Sequence, residues 1–127
     1  MADRTIQYRQ LVEVAPRDCA SQWGNDGLEI LSTPSLLGTM ERVCVEALTP
    51  VLGPGEMTVG TGVTMTHTAP ARLGEQVSYE IEAVIDGRRI DVKFTVQRIG
   101  GVVVSSGEHR RAKVNVESFL RSIGTGV

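Results

Sequence analysis

The sequence predicts an α+β fold in which one antiparallel sheet of about five strands packs against a single long helix. Two observations support this prediction. One segment, near residues 34–49, repeats apolar residues at helical spacing, whereas several other segments alternate apolar and polar residues. Glycine-containing turns separate the last three alternating segments, which indicates hairpins and therefore antiparallel pairing.

The first predicted strand covers residues 5–14, where Ile6, Tyr8 and Val12 alternate with polar residues. Residues 15–32 follow without a regular pattern and are rich in proline, aspartate, asparagine and glycine. A structureless connection of this length is unusual, and such segments are often functional.

The long helix is predicted from about residue 34 to residue 49. Ser32 or Thr33 can cap its start, and Pro34 suits the first helical position because its missing N–H costs nothing there. Its apolar residues form one wide stripe, made of Leu36, Leu37, Met40, Val43, Cys44, Ala47 and Leu48.

Four further strands are predicted after the helix, with turns at Asp86-Gly87 and at Gly100-Gly101. A short terminal helix is predicted over residues 117–123. The predicted strands cover residues 57–69, 75–86, 88–99 and 102–116.

This order of elements suits the hot-dog arrangement, in which a curved sheet wraps around one helix. By its length, the chain is interpreted as a single domain over residues 1–127. An open sheet has exposed edges, and pairing of an edge with a second copy is a common way to cover them. We therefore expect a homodimer.

The composition argues against several classes of function. Thirteen basic and fifteen acidic residues give a formal net charge of −2, so no basic surface for nucleic acid is expected. No apolar run approaches the roughly 18 residues needed to cross a bilayer, and the first ten residues lack the apolar region of a secretory signal. Cys19 and Cys44 have neither a disulfide framework nor metal-ligand spacing. We expect a cytoplasmic protein without a bound metal.

His67 is the first candidate for chemistry, because it ends a predicted strand just before Ala69-Pro70. An unperturbed imidazole titrates near pH 6.5, which suits acid–base catalysis. The alternative is a structural histidine that is hydrogen-bonded to a neighbouring backbone group.

Glu41 and Thr33 are the next candidates. Glu41 lies at the shoulder of the apolar stripe, where partial burial is expected to raise its pKa and suit it to general-base catalysis. The alternative is a surface glutamate whose stem covers the core. Thr33 is interpreted either as the helix N-cap or as a hydroxyl facing a ligand at the positive end of the helix.

Arg110 and Arg111 are adjacent on a predicted strand and must therefore face opposite sides, so one of them is expected to reach a pocket or an interface. Gly60 and Gly62 do not fit the spacing of a nucleotide-binding loop. Glycine within a strand instead suggests a bulge or the close approach of another group.

Four stretches together resemble the fluoroacetyl-CoA thioesterase family of hot-dog proteins: TPSLLGTME, VGTGVTMTHTAP, DGRR and SSGEHRRAKV. The resemblance extends from about residue 30 to residue 116 and agrees in order and spacing. It implies catalytic roles for Thr33, Glu41 and His67, an oxyanion-binding backbone N–H at Gly60 and a site arginine at Arg111. His109 also matches a family histidine, for which we expect a structural role.

The resemblance implies an acyl-CoA thioesterase that hydrolyses a small acyl-CoA to a carboxylic acid and free CoA. CoA is then part of the substrate, and no separate cofactor is expected. Arg72, Arg88 and Arg89 are available for its phosphates. The site of a hot-dog dimer lies between subunits, so Glu41 and His67 are candidates to come from different chains.

Residues 15–30 depart from the family's pattern. The fluoroacetate-specific member carries a longer lid with a phenylalanine, whereas this segment offers only Trp23. The sequence therefore leaves the acyl group open, and it does not choose between direct attack by water and a covalent intermediate.

Two other functions fit the same fold. A non-catalytic acyl-CoA-binding module would keep Arg111 and the glycines without needing Thr33, Glu41 and His67 together. An acyl-CoA hydratase of this fold places an aspartate five residues before a histidine, but Gly62 and Val104 occupy those positions here. The presence of all three candidate residues favours the thioesterase.

Overall fold

The computed structural model describes residues 4–124, which form one five-stranded antiparallel sheet, one long helix and one short helix. The sheet has the strand order β1-β3-β4-β5-β2, so that β1 and β2 are its edges. This architecture confirms the predicted α+β hot-dog fold. The elements are β1 (Arg4–Glu13), α1 (Thr33–Leu48), β2 (Glu56–His67), β3 (Gln76–Asp86), β4 (Arg89–Arg98), β5 (Val103–Asn115) and α2 (Val116–Ser122).

Helix α1 begins at Thr33 and is capped by the residue before it. The Ser32 hydroxyl accepts a hydrogen bond from the backbone N–H of Ser35 at 3.2 Å. Of the two capping residues that the sequence allowed, Ser32 therefore acts as the N-cap and Thr33 does not. This leaves the Thr33 hydroxyl available for another partner.

The hydrophobic core lies between α1 and the inner face of the sheet. The predicted stripe of α1 is buried at Leu36, Met40, Val43, Cys44, Ala47 and Leu48. Alternate residues of two interior strands pack against it, namely Val77, Tyr79, Ile81, Ala83 and Ile85 on β3 and Ile90, Val92, Phe94 and Val96 on β4. Cys44 is a core residue, as expected.

Strand β2 contains a β-bulge at its two glycines. The pairing with β5 changes register between Gly60 and Gly62, as glycine in a strand had suggested. The extra residue shifts the alternation of the strand by one. Met57, before the bulge, is therefore 58% exposed, whereas Met65, after it, packs against the core. The strand predicted over residues 57–69 is present as β2, and the register change places Met57 and Met65 on opposite faces of the sheet.

Both predicted turns are present. Gly87 and Arg88 connect β3 to β4, and Gly87 has the positive φ of 62° that this tight turn requires. The connection before α1 is more ordered than its composition indicated. It contains 3₁₀ turns at Pro16–Asp18 and Ala20–Trp23, and an antiparallel bridge joins Cys19 to Leu31.

Two structural findings bear on function. No helix within residues 4–124 is both long enough and apolar enough to cross a membrane. In the same part of the chain, no three histidine, cysteine, aspartate or glutamate side chains are grouped to hold a metal ion.

Candidate active site

Thr33 and His67 meet where the start of α1 faces the end of β2. The Thr33 hydroxyl oxygen lies 2.8 Å from Nδ1 of His67, at hydrogen-bonding distance. Thirty-four residues separate the two in the chain, and each occupies the end of a regular element. Because Ser32 caps the helix, Thr33 is free to make this contact.

A solvent-open groove of about 410 Å³ surrounds the Thr33–His67 pair. Its lining includes Trp23, Leu28 and Ile30 of the connection before α1, together with Ala69 and Pro70. Apart from His67, no residue that lines this groove carries an ionisable side chain. The groove therefore offers apolar surface beside one imidazole and the uncharged polar side chains of Asn25, Ser32, Thr33 and Thr68.

His67 is neutral at physiological pH. Burial lowers the pKa of its imidazole, and a hydrogen bond with the Ala69 backbone, which favours the protonated ring, offsets this only in part. The result is a pKa below the ordinary 6.5. A neutral imidazole beside a hydroxyl is able to accept the hydroxyl proton.

Glu41 lies in a second cluster, in which two side chains of β5 contact its carboxylate. Its Oε1 is 2.8 Å from Nε2 of His109, and its Oε2 accepts a hydrogen bond of 2.9 Å from Nη1 of Arg111. Arg111 also donates to the hydroxyl and the carbonyl oxygens of Thr58, at 3.0 and 2.9 Å. Arg111 is 2% exposed and Arg110 points to solvent, which confirms the prediction that the two face opposite sides.

The pKa of Glu41 is lowered, contrary to the sequence prediction. Burial alone would raise it, but the hydrogen bond and positive charge of Arg111, together with His109, outweigh burial. The prediction is wrong because helical spacing indicates how deeply Glu41 is buried and does not reveal its partners on β5. Glu41 is therefore a carboxylate at neutral pH.

The two glycines of β2 make room for charged side chains on opposite faces of the sheet. A Cβ atom at Gly60 would lie 2.6 Å from Oε1 of Glu41 and 3.2 Å from Nε2 of His109. A Cβ atom at Gly62 would lie 2.6 Å from Nη2 of Arg110 on the outer face. Both glycines thus permit the close approach that the sequence had suggested.

Within one chain the two clusters are distinct. Across residues 4–124, no hydrogen bond or ion pair joins Glu41 to Thr33 or to His67. His109 is the residue whose part in the site the sequence did not indicate. It alternates with Arg111 on β5, so strand alternation places the two side chains on the same face of the sheet.

Comparison with solved structures places the fold among hot-dog proteins. The hot-dog-like protein from Thermanaerovibrio acidaminovorans superimposes with a TM-score of 0.85 at 24% identity, over 96% of this chain and 90% of that protein. This similarity concerns the fold alone.

The family follows from closer matches. The family model for fluoroacetyl-CoA-specific thioesterases matches residues 14–117. The fluoroacetyl-CoA thioesterase of Streptantibioticus cattleyicolor is 38% identical over 93 residues, which cover 72% of this chain and 66% of that enzyme. A structure of the fluoroacetyl-CoA thioesterase FlK superimposes with a TM-score of 0.84 at 26% identity, over 95% and 94% of the two chains. This chain therefore belongs to the fluoroacetyl-CoA-specific thioesterase family, which confirms the resemblance.

Proposed function

We propose that this protein is an acyl-CoA thioesterase that hydrolyses a small acyl-CoA to a carboxylic acid and free CoA. The observation that carries the proposal is the family match over residues 14–117, which includes every candidate site residue. A solved structure of a variant of the related enzyme FlK is a complex with fluoroacetate and CoA. The apolar groove beside Thr33 and His67 suits the acyl end of such a substrate.

The complete site, in this proposal, forms between two copies of the chain that pair along β2. This edge strand runs for 12 residues and carries one residue with a full charge, Glu56. The other edge, β1, carries Arg4, Arg9 and Glu13. Charged residues protect a sheet edge from pairing with another chain, so β2 is the less protected of the two edges.

If β2 of one chain pairs with β2 of a second chain around a two-fold axis, one register brings the Thr33–His67 pair of one chain close to the Glu41 cluster of the other. Gly60 and His67 both face the helix side of the sheet, because Gly60 pairs with Arg111 and His67 pairs with Ser105 of β5. If the pairing is antiparallel and centred near Thr64, His67 of one copy lies opposite the Gly60 bulge of the other. Thr33 and His67 from one chain then face Glu41 from the second.

The chemistry proposed for this composite site is acyl transfer to oxygen. The attacking oxygen belongs to Thr33 or to a water molecule bound to it, and in both cases its proton passes to Nδ1 of His67. A backbone N–H near Gly60 stabilises the developing oxyanion. As the C–S bond breaks, the imidazolium returns the proton to the departing thiolate. The Glu41 carboxylate stabilises the imidazolium during this step. Where Thr33 is the attacking group, water then hydrolyses the acyl-threonine ester with His67 again as the base, which releases the carboxylic acid and regenerates the Thr33 hydroxyl.

A thiol-release assay tests the proposal on a panel of short, branched, aryl and fluorinated acyl-CoAs. We expect turnover of at least one substrate and a loss of at least about 100-fold for His67→Ala and for Glu41→Gln, the scale of a missing acid–base group. Glu46→Gln is the matched control, since Glu46 lies on the solvent side of α1 and pairs with Arg42.

The assay has two outcomes that contradict the proposal. Tight binding of acyl-CoA without thiol release would identify a binding module instead of an enzyme. Full activity in both site variants would show that the catalytic groups lie elsewhere.

A further inference from the structure

Glu41 is the partly solvent-exposed end of a chain of hydrogen-bonded side chains that extends into the core. Nε2 of His109 lies 2.8 Å from Oε1 of Glu41, and Nδ1 of the same ring lies 3.6 Å from Sγ of Cys44. His109 and Cys44 are both buried, and Cys44 is also 3.9 Å from Sδ of Met40. The imidazole therefore bridges the carboxylate and a thiol, shielded from solvent.

We propose that His109 is a positioning residue that holds the Glu41 carboxylate in place together with Arg111. Its ring is neutral and carries its proton on Nε2, while Nδ1 accepts a hydrogen bond from the Cys44 thiol. The consequence for catalysis rests on the proposed thioesterase function. The ionisation states and the geometry do not depend on it.

The protonation pattern follows from the partners. An ionised carboxylate only accepts hydrogen bonds, so the nitrogen that faces Glu41 must carry a proton. Burial raises the pKa of Cys44 to about 11, so the thiol keeps its proton and can donate it to Nδ1. A ring nitrogen is a better acceptor than the thioether of Met40, which lies 3.9 Å from the thiol.

The surroundings of His109 oppose a positive charge on the ring. Glu41 and Cys44 face it from α1, and Arg111 faces it from β5. Its register neighbours on β2 and β4 are Val63 and Val92, which do not titrate. Burial and the Arg111 charge lower the pKa of His109, and this outweighs the opposite effect of Glu41.

The arrangement gives each oxygen of Glu41 its own donor, Oε1 from His109 and Oε2 from Arg111. Two fixed donors restrict rotation of the carboxylate, and the absent side chain at Gly60 leaves space for this orientation. A carboxylate held in one orientation needs no reorganisation when charge develops opposite it. His109 thus acts on the reaction through Glu41.

NMR of the histidine ring nitrogens and of the glutamate carboxyl carbons, recorded on the intact protein, tests the inference without any substrate. At pH 7 we expect one protonated and one unprotonated nitrogen on His109. In His109→Leu, which removes the donor, the pKa of Glu41 should rise by about one unit, as expected for a lost hydrogen bond to a charged group. His109→Gln, which can still donate, should restore part of this shift. Two protonated ring nitrogens, or an unchanged Glu41 pKa in His109→Leu, would overturn the proposal.

Kinetics separate positioning from a merely structural role. With a substrate found by the thiol-release assay, His109→Leu should lower kcat by about tenfold or more, with little change in KM, and shift the acid limb of the pH profile upward. If His109→Leu does not fold, Cys44→Val provides the second test. Nδ1 should then lose its partner and change its resonance while Nε2 keeps its proton, and a proton found on Nδ1 would contradict the assignment. Failure of the protein to hydrolyse any acyl-CoA would end the proposed function and leave these NMR results standing.

Discussion

The two halves of the candidate site are built in opposite ways. Thr33 and His67 lie in an open groove and contact each other through a single hydrogen bond. Glu41, by contrast, is held by two buried side chains of β5, one of which makes two further hydrogen bonds to Thr58. We call Thr33 and His67 the open half, and Glu41 with His109 and Arg111 the held half. The open half is suited to receive a substrate, and the held half is suited to present a fixed negative charge.

The two halves also differ in what determines the protonation state of their ionisable residue. Burial keeps His67 neutral, whereas Arg111 and His109 keep Glu41 ionised despite partial burial. Each group thereby favours one protonation state at neutral pH, by desolvation in one case and by specific partners in the other. The held half should consequently be more sensitive to loss of a neighbour than the open half.

The largest effect is expected from removing the cation of the held half. Arg111→Gln deletes a buried charge and removes the guanidinium donors to Oε2 of Glu41 and to Thr58, so activity should fall by at least about 100-fold. The free energy of unfolding should fall by about 2–4 kcal/mol, at the lower end for a buried pair because Glu41 still reaches solvent. Urea unfolding measures this loss.

Arg110→Gln is the matched control, since Arg110 is adjacent on β5 and faces the outside of the sheet. It should change stability by no more than about 0.5 kcal/mol. Equal losses in the two variants would show that Arg111 has no special role.

Gly60→Ala should separate positioning from folding. The new methyl group would meet Oε1 of Glu41, which is the end of a flexible side chain, so the carboxylate should move with little cost in stability. We expect at least about a tenfold loss of kcat with a stability change below about 1 kcal/mol.

Gly38→Ala is the control for this glycine substitution. Gly38 lies on the exposed side of α1, and a Cβ there would contact nothing within 4 Å. Alanine should stabilise the helix by up to about 1 kcal/mol and leave activity unchanged. An active Gly60→Ala enzyme would argue that Glu41 needs no fixed position.

A smaller effect, the dependence of the free energy of unfolding on pH, should also distinguish the two halves. The folded-state pKa values of His67 and His109 lie below 6.5, so the unfolded chain binds more protons near pH 6. Their contribution to stability is complete above about pH 6.5 and decreases as the pH falls below it, each adding at most about 1.4 kcal/mol per pH unit to the slope. Glu41 acts at lower pH, because its contribution is lost only as the pH falls through its lowered folded-state pKa.

Thermal unfolding between about pH 3 and pH 8 measures this dependence. His67→Gln should flatten the slope near pH 6 and leave the Glu41 step below pH 4.5 intact. A wild-type stability that stays flat between pH 5 and 7 would contradict neutral burial of both histidines.

The fold was largely predictable because its signals are local. Helical spacing located α1, and turn residues located both hairpins, since each depends on neighbours in the chain. The bulge at Gly60 and Gly62 was suggested, but its effect on Met57 was not, because a register change appears only against the paired strand.

The contacts and charge states of the candidate residues were predictable only in part. Thr33 was a candidate for two roles, and the choice depended on Ser32 acting as the cap. Glu41 was assigned the wrong pKa shift because Arg111 lies 70 positions away in the chain. His109 was given a structural role, because a single histidine on a strand shows nothing of the helix residue that it will contact.

The central claim is that the open half of one chain works with the held half of another. It is tested most directly by mixing two inactive variants, Glu41→Gln and His67→Ala, after unfolding and refolding them together in equal amounts. Random pairing makes half of the dimers mixed, and each mixed dimer has one intact site, so about one quarter of the wild-type activity should return. If mixed dimers form and no activity returns, Glu41 and His67 do not meet across the subunit boundary, and the account is wrong.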